Sequence, residues 1–376
     1  MSKFLLNTSA LVAATVFAAP ALSAERIQLD VRGYFVGGVA YTDSDYGQRR
    51  IEIATGNSVV TQTGDGGNEI NFGSDSEIHF RGSATLDNGL EISFKAELEL
   101  EDDADIDEVY IQADGGFGRV QFGQNDGVMD QMAVTAPSIF VGHSHMDVDL
   151  DLDPFDPIPF RNRANTVGDF TGDDIKISYF TPSMNGFQIG VSYTPNPCKN
   201  DTGYSGCVFE EFARNYWEAS ASWEVDVNNV GFAFSGGYGQ GESQSSAEEP
   251  SEWTLGANIS LGGFTLGGSY KDSNTSGVST FELTDWDAGA SYEDGPWAFN
   301  LAYGKREFDS GASFFIPFTN ESESWIGGFT YAFGPGMQIG AGVQTHSAGG
   351  VTVFGGDNFI DEFDGTSVFL ELALEM

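Results

Sequence analysis

Carboxylate side chains recur at alternate positions along several segments of this 376-residue sequence. In a β-strand, alternate positions share one face, so such a segment presents charge on one side and apolar residues on the other. A row of carboxylates attracts cations and repels anions over a distance set by salt screening. The acidic residues that we expect to act in this way are Glu77, Glu97, Glu99, Glu108, Asp126, Asp130, Asp147, Asp149, Asp151 and Asp153.

Few basic residues oppose these acids. The sequence has 16 lysines and arginines against 56 aspartates and glutamates, a net charge of -40. On the faces that carry the acids, the basic residues are Arg32, Arg81, Lys95 and Arg119. Nucleic acid is excluded as a partner because its phosphates are bound by lysine and arginine. Cations, divalent ones included, are the expected partners.

Two groups of residues raise the question of a metal site. His143 and His145 lie beside several aspartates, and imidazole with carboxylate suits a transition metal, although a solvated loop explains the same residues. The run MDVDLDLD lacks the glycine and the glutamate that a calcium loop of the EF-hand type needs. A looser Ca²⁺ site remains open there, at Asp147, Asp149, Asp151 and Asp153. Structural Ca²⁺ or Mg²⁺ is the one cofactor to consider.

The sequence gives little support to catalysis. An esterase would require a serine nucleophile with a histidine base. His79 is the one histidine on the polar face of a predicted strand, and the sequence contains no Gly-x-Ser-x-Gly turn. We therefore expect that the protein is not an enzyme.

The first 24 residues have the layout of a secretory signal peptide, with Lys3, an apolar run over 10–19 and small residues up to Ala24. The mature chain, residues 25–376, is predicted to be one domain, although cleavage after Ala21 or Ser23 is also compatible. No later stretch has the 18 apolar residues of a membrane helix. After export, Cys198 and Cys207 are expected to form a disulfide that ties a surface loop, in preference to a redox or metal pair.

Alternating apolar and polar residues predict sixteen strands from residue 27 to the end of the chain. Their expected ranges are 27–41, 76–86, 90–100, 107–113, 117–123, 174–181, 186–193, 216–224, 230–239, 252–261, 263–270, 284–292, 297–304, 324–333, 336–345 and 366–376. The links between them are short and long in turn. This alternation of short and long links is typical of an up-and-down antiparallel barrel that crosses a membrane.

A secreted sandwich or solenoid would also alternate, but two further features favour the membrane barrel. The inward face is charged, whereas a sandwich needs an apolar core. Aromatic residues occupy the strand ends on the apolar face, where a membrane barrel carries its interfacial girdles; they are Tyr41, Tyr193, Trp223, Trp253, Tyr270, Tyr292, Trp297, Tyr303 and Phe333. A sixteen-stranded barrel leaves an aqueous channel. The longest link, about 124–173, mixes apolar and acidic residues, so we expect it to fold into the lumen.

Four segments resemble the general porins of Gram-negative outer membranes, in particular the alphaproteobacterial type. They are IQLDVRGYFVGGVAY, SEIHFRGSATLDNGLEISFKAELEL, DEVYIQADGGFGRVQFGQNDGVMDQM and DDIKISYFTPSMNGFQIGVSYTP. The resemblance implies a homotrimer of sixteen-stranded barrels in the outer membrane, in contact with lipid and lipopolysaccharide. It also implies that the third loop folds into each barrel and forms an eyelet between its own acids and a basic cluster on the wall.

The sequence departs from this family pattern at two places. Glu77 and Glu108 stand where such porins commonly carry arginine or lysine, and Met376 replaces the usual terminal aromatic residue. The expected function is a general diffusion porin that passes ions and small hydrophilic solutes, with a preference for cations. The alternative is a substrate-specific channel, for instance for sugars, which needs an aromatic track; the inward Tyr34 and Tyr110 do not form one. A structural or adhesive surface protein is the third interpretation.

Overall fold

The chain folds into one large antiparallel β-sheet. The computed structural model describes residues 27–46, 48–52, 58–62, 65–100, 106–146, 163–168, 171–196, 213–243, 249–276, 280–309, 318–354 and 357–376. The strands are β1 (Gln28–Tyr46), β2 (Gln48–Glu52), β3 (Ser58–Gln62), β4 (Asp65–Thr85), β5 (Glu91–Glu99), β6 (Ile106–Gly115), β7 (Gly118–Gln124), β8 (Ile175–Phe180), β9 (Phe187–Thr194), β10 (Ala213–Val227), β11 (Val230–Ser243), β12 (Ser251–Leu261), β13 (Phe264–Ser276), β14 (Thr280–Asp294), β15 (Trp297–Asp309), β16 (Phe318–Gly334), β17 (Met337–Phe354) and β18 (Asp357–Glu375). A short helix, α1 (Val128–Gln131), follows β7. Within the described ranges, no helix is long and apolar enough to cross a membrane.

The first strand closes the sheet on itself. Phe35 of β1 lies opposite Ser76 of β4 on one side and opposite Leu374 of β18 on the other. The short strands β2 and β3 form a hairpin that pairs with β18 and extends the sheet beyond the wall. Without these two, sixteen of the eighteen strands form the closed antiparallel barrel that the sequence predicted.

The end of the barrel with the short links, called the tight end below, has turns whose backbone conformation matches their residue types. Asn228 and Asn229, between β10 and β11, have φ angles of 51° and 67°. Gly262 and Gly263, between β12 and β13, have φ angles of 57° and 86°. Two successive residues with positive φ make the turn type that matches the twist of a two-residue hairpin, and asparagine and glycine adopt it most readily. The sequence therefore fixes the tight links locally.

The two faces of the wall have the reverse of a soluble protein's polarity. On β18, Leu370 and Leu372 are 45% and 42% exposed, whereas Glu371 between them is 1% exposed. Apolar exposure of this extent is stable where the surrounding medium is lipid. A row of outward aromatic side chains runs across the strands from β9 to β16. Each side chain is paired in register with the next one or contacts its ring; the row comprises Tyr193, Trp217, Tyr238, Trp253, Tyr270, Trp286, Tyr303 and Trp325.

The strands are longer at the end with the long links than the alternation indicated. The predicted strand 336–345 continues to Phe354, and the predicted strand 366–376 begins at Asp357. The hairpin of β2 and β3 was not predicted. Beyond the lipid both faces of a strand meet water, so the backbone ladder continues while the apolar alternation ends.

Several predictions concern residues outside the described ranges. They are the signal peptide, residues 1–24; the pair Cys198 and Cys207; and the acidic run of Asp147, Asp149, Asp151 and Asp153 with its Ca²⁺ site. These stay predictions.

Candidate functional site

The long connection between β7 and β8, residues 125–174, is called the inner loop below. Its described residues are 125–146, 163–168 and 171–174. The amide of Val134 donates to Ser235 Oγ of β11 at 2.9 Å, and Asn300 Nδ2 of β15 donates to the carbonyl of Pro137 at 2.7 Å. Ser235 and Asn300 alternate with lipid-facing side chains, so they point into the barrel. The described residues of the inner loop therefore lie against the inside of the wall.

Glu371 of β18 anchors the middle of the inner loop. Its carboxylate accepts hydrogen bonds from the amides of Val141 and Gly142 at 3.0 and 3.1 Å. The same carboxylate lies 2.8 Å from His143 Nδ1, and the imidazole stacks on Phe369 with 3.7 Å between ring centroids. Buried charge is tolerated where donors surround it. Glu371 therefore holds the loop by backbone and side-chain contacts together.

Asp287 of β14 is a second anchor. It accepts from the amide of Ala136 at 3.3 Å, from Thr166 Oγ1 at 3.2 Å and from Ser269 Oγ at 2.8 Å. His145 Nε2 lies 3.4 Å from the same carboxylate. Because Ala136 and Thr166 belong to the outgoing and returning parts of the inner loop, one wall carboxylate fixes both parts.

A buried lysine closes the neck of the inner loop. Lys176 is 1% exposed, and its ammonium group donates to the backbone carbonyls of Asn125 and Gly172. These carbonyls belong to the two ends of the loop, so a single cation holds the ends together.

The neck also contains a carboxyl group that resists ionisation. Burial raises the pKa of Asp173 to about 8, and the negative charges of Asp126, Asp107 and Glu108 add to the effect, whereas Lys176 opposes it. Asp173 is therefore a group at the neck of the inner loop that changes charge near pH 8.

A charged network lies on the inner face of β1, β4, β5 and β6. Tyr34 donates its hydroxyl to Glu77 Oε1 at 3.1 Å, and Glu77 Oε2 lies 2.6 Å from His79 Nε2. The other ring nitrogen of His79, Nδ1, lies 3.1 Å from Glu97 Oε1. Lys95 contacts Glu97 and bonds to Glu108 at 3.0 Å. We call Tyr34, Glu77, His79, Lys95, Glu97 and Glu108 the wall network.

The wall network meets the inner loop at Glu108. Glu108 Oε1 accepts the amide of Asp126 at 3.1 Å. Carboxylate oxygens of Glu108, Asp126 and Asp173 lie within 4.8 Å of one another, as do those of Glu77, Glu99 and Asp107. The structure thus brings five of the predicted acids to one side of the lumen, whereas Asp130 lies on α1.

Three of the four basic residues predicted on the wall are paired with acids, whereas Arg81 Nη2 lies 3.4 Å from His79 Nδ1. Arg32 pairs with Asp30 at 2.6 Å, and Arg119 pairs with Asp114 at 3.4 Å. Lys95 contacts two carboxylates, as described above. A cation paired in this way contributes little to the field at a distance, so the acids dominate this region.

Open space lies toward both ends of the barrel. Near the tight end, a cavity of about 590 Å³ is lined by Arg32, Arg81, Glu91, Lys95 and Gln112, among others. At the end with the long links, a cavity of about 840 Å³ has acidic lining residues; they are Glu282, Glu307, Asp309, Glu321, Glu323, Glu362 and Asp364.

The structure corrects one of the two interpretations of the loop histidines. His143 and His145 are 3% and 0% exposed, so they are not part of a solvated loop. They contact carboxylates on two different strands, β18 and β14. The aspartates that follow them lie outside the described residues, so the transition-metal site stays a prediction. Sequence spacing could not reveal partners more than 140 residues away.

Sequence reasoning missed the residues that hold the inner loop, namely Lys176, Asp287 and Glu371. All three lie on inward strand positions by alternation, and Glu371 stands between outward leucines in FLELALEM. The alternation therefore identified their side of the wall. It did not identify the loop backbone that they bind.

A closed barrel with an apolar exterior, a polar interior and an inner loop defines the class of protein as a membrane channel. The chain belongs to the Gram-negative porin family, whose model matches residues 8–350. It is an outer-membrane protein, and porins are channels without enzymatic activity. No curated protein matches the chain.

Solved porins and channels share this fold. The anion-selective porin from Comamonas acidovorans has a TM-score of 0.56 and 18% identity, covering 93% of this chain and 100% of that chain. The outer membrane channel DcaP of Acinetobacter baumannii has a TM-score of 0.59 and 13% identity, covering 93% and 97%. OmpT of Vibrio cholerae, in its trimer form, has a TM-score of 0.55 and 12% identity, covering 94% and 100%. At these identities, the similarity shows the fold alone.

Proposed function

We propose that this porin is a general diffusion pore that prefers cations and passes small hydrophilic solutes passively. The observation that carries the proposal is the excess of acidic over basic side chains on the wall near the inner loop. Acids outnumber cations in this part of the wall: the acids are Glu77, Glu97, Glu99, Asp107 and Glu108, and the cations are Lys95 and Arg81. Arg32 and Arg119 have acidic partners of their own, Asp30 and Asp114. Screening extends over about 8 Å at physiological salt, comparable to the half-width of such an eyelet, so the wall charge acts on a passing ion.

The anion-selective name of the Comamonas porin does not decide the selectivity of this chain. Selectivity depends on the lumen side chains, and two chains that are 18% identical share few of them. The net charge of -40 and the acidic lining of the cavity at the end with the long links, called the outer cavity below, both favour cations in this chain.

A homotrimer is the assembly that we propose. All six tryptophans lie on β10 to β16, and none lies on β4 to β7. Tryptophan and tyrosine concentrate where a barrel meets the lipid interface. The outward side of β4 to β7 instead carries exposed aliphatic and phenylalanine side chains, for example Phe72 at 82% and Ile111 at 57%. Contact with neighbouring copies would cover this side.

The acids around the outer cavity also suit contact with the outer leaflet. Lipopolysaccharide carries phosphate, so its binding to this acidic rim would require bridging divalent cations. Lipid and lipopolysaccharide therefore remain proposed partners, with Ca²⁺ or Mg²⁺ as the mediator.

Planar bilayer recording tests the proposal. Under a KCl gradient, we expect a reversal potential close to the K⁺ equilibrium potential. We also expect each inserted protein to close in three equal conductance steps, one for each subunit of the trimer. Sugars should not block the current. Saturable block by a sugar would indicate a substrate-specific channel, a Cl⁻ preference would overturn the selectivity, and absence of conductance would overturn the channel itself.

The neck of the inner loop should make selectivity depend on pH. Because the pKa of Asp173 is raised to about 8, the folded neck binds a proton at this carboxyl group below that pH. The stability that the bound proton gives to the folded neck is lost as the pH rises through about 8. Ionisation also adds a negative charge to the lumen. We expect the K⁺ preference in dilute KCl to rise between about pH 7 and pH 9. Reversal potentials measured across this range would show the step.

The matched pair of variants is Asp173→Asn and Asp114→Asn, each of which removes one carboxylate. The first should abolish the step, and the second should retain it, because Asp114 is paired with Arg119 outside the neck. An unchanged step in the Asp173→Asn protein would contradict the assignment.

A further inference from the structure

We propose that Glu77 and His79, with Glu97 orienting the imidazole, form a binding site for a divalent transition-metal ion of the Zn²⁺ class on the wall of the lumen. A ring nitrogen of His79 and a carboxylate oxygen from each glutamate all lie within 4.8 Å of one another. The inference concerns metal binding and does not depend on whether the pore prefers K⁺ or Cl⁻.

The two sides of the imidazole have different roles. His79 Nε2 lies 2.6 Å from Glu77 Oε2, and His79 Nδ1 lies 3.1 Å from Glu97 Oε1. A histidine that binds a metal through one nitrogen usually donates the other N–H to a carboxylate, which fixes its tautomer and orientation. We therefore assign Nε2 and Glu77 as ligands, and Glu97 as the residue that orients the ring.

Glu77 is itself held in place for this role. Its Oε1 lies 3.1 Å from the hydroxyl of Tyr34, which lies equally close to Asp75 Oδ1. Its other oxygen, Oε2, is directed toward His79. With metal bonds of about 2.0–2.1 Å, two ligands of a tetrahedral ion lie about 3.3 Å apart. The Glu77 and His79 atoms must therefore separate by only about 0.7 Å to admit an ion.

Further oxygen ligands lie beside Glu77. Carboxylate oxygens of Glu77, Glu99 and Asp107 are within 4.8 Å of one another. Water from the lumen can fill a remaining position, as in zinc sites with three protein ligands.

The neighbouring cations lie on the other side of the ring. Lys95 contacts Glu97, and Arg81 Nη2 lies 3.4 Å from His79 Nδ1. Both positive groups thus approach the Nδ1 side, and Nε2 is directed away from them.

The imidazole determines which ions this site selects. Mg²⁺ and Ca²⁺ prefer oxygen ligands alone, whereas imidazole nitrogen suits Zn²⁺, Ni²⁺ and Cu²⁺. The acids of the lumen attract any divalent cation, but His79 gives the transition metals an advantage that Mg²⁺ cannot share.

Calorimetric titration of the purified full-length protein with ZnCl₂, in detergent and after dialysis against chelator, tests the site. We expect His79→Gln to weaken Zn²⁺ binding at least tenfold while Mg²⁺ binding stays the same. Glu97→Gln should weaken Zn²⁺ binding about 10- to 100-fold, the usual effect of removing an orienting partner. His346→Gln is the matched control, because His346 is a buried histidine that pairs with Ser324 on a different part of the wall.

The same proteins in a planar bilayer give an independent readout. Bound Zn²⁺ adds positive charge to the lumen, so micromolar ZnCl₂ should reduce K⁺ current in the wild type and in His346→Gln but not in His79→Gln. Equal Zn²⁺ affinity in wild type and His79→Gln, or equal competition by Mg²⁺, would overturn the proposal. A correctly folded Glu97→Gln protein with wild-type affinity would overturn the role of Glu97 in orienting the ring. Neither result would bear on the K⁺ reversal potential without Zn²⁺, so failure of the metal site and failure of the pore are distinguishable.

Discussion

Replacing both Glu77 and Glu108 by arginine should lower the K⁺ to Cl⁻ permeability ratio about tenfold in dilute KCl. Each substitution exchanges a negative charge for a positive one in the wall network, which meets the inner loop where Glu108 accepts the amide of Asp126. A more positive potential raises the energy of a cation and lowers that of an anion by the same amount. A change of about 1.2 kT per unit charge at the narrowest section therefore alters the permeability ratio about tenfold. Reversal potentials under a KCl gradient give the ratio directly.

Two comparisons make this prediction specific. Ile78→Val and Val109→Ile change apolar side chains that alternate with Glu77 and Glu108 on the same two strands, and they should leave the reversal potential unchanged. The difference between wild type and the double variant should also fade near 1 M salt, where the screening length is about 3 Å. A double variant that folds and keeps the wild-type reversal potential would show that these faces do not line the conduction path.

Strand number and strand faces were predictable because a membrane barrel repeats one local rule. Leucine and glutamate alternate on β18 as they do on β5, and each strand meets the same lipid on one side and the same water on the other. Outside the lipid this rule lapses, which explains the missed hairpin at Gln48–Glu52 and Ser58–Gln62. Local alternation therefore indicates the span of the membrane better than the full length of the strands.

The inner loop was predictable as a feature but not in its attachments. Its mixture of apolar and acidic residues indicated that it packs within the barrel. The partners of His143 and His145 are set by barrel closure, which brings β14 and β18 to residues that are distant in sequence. The ion pairs of Arg32 and Arg119 likewise depend on side-chain conformation, so the strength of a basic wall cannot be counted from residue types alone.

Removing both loop anchors by the double substitution Asp287→Ala and Glu371→Ala should enlarge and destabilise the open channel. Glu371 accepts two amide hydrogen bonds from the inner loop, and Asp287 binds both its outgoing and its returning part. A hydrogen bond to a charged group contributes about 1.5–3 kcal/mol, so losing even two of these four bonds shifts the ratio of anchored to released loop by about two to four powers of ten. We expect higher mean conductance, larger current noise and passage of larger sugars in liposome swelling.

The single variants distinguish anchoring from simple loss of charge. The anchors lie on β14 and β18, so either alone still ties part of the loop to the wall, and the two single effects should sum to less than the double effect. Glu362→Ala removes an exposed carboxylate from the same strand as Glu371 without touching the described loop, and it should change selectivity at most. Wild-type noise and solute exclusion in a folded double variant would mean that the remaining contacts, such as Asn300 with Pro137 and Lys176 at the neck, are sufficient to hold the loop. The loop would then be fixed by its many weak contacts with the wall, and the two carboxylates would be dispensable for the width of the pore.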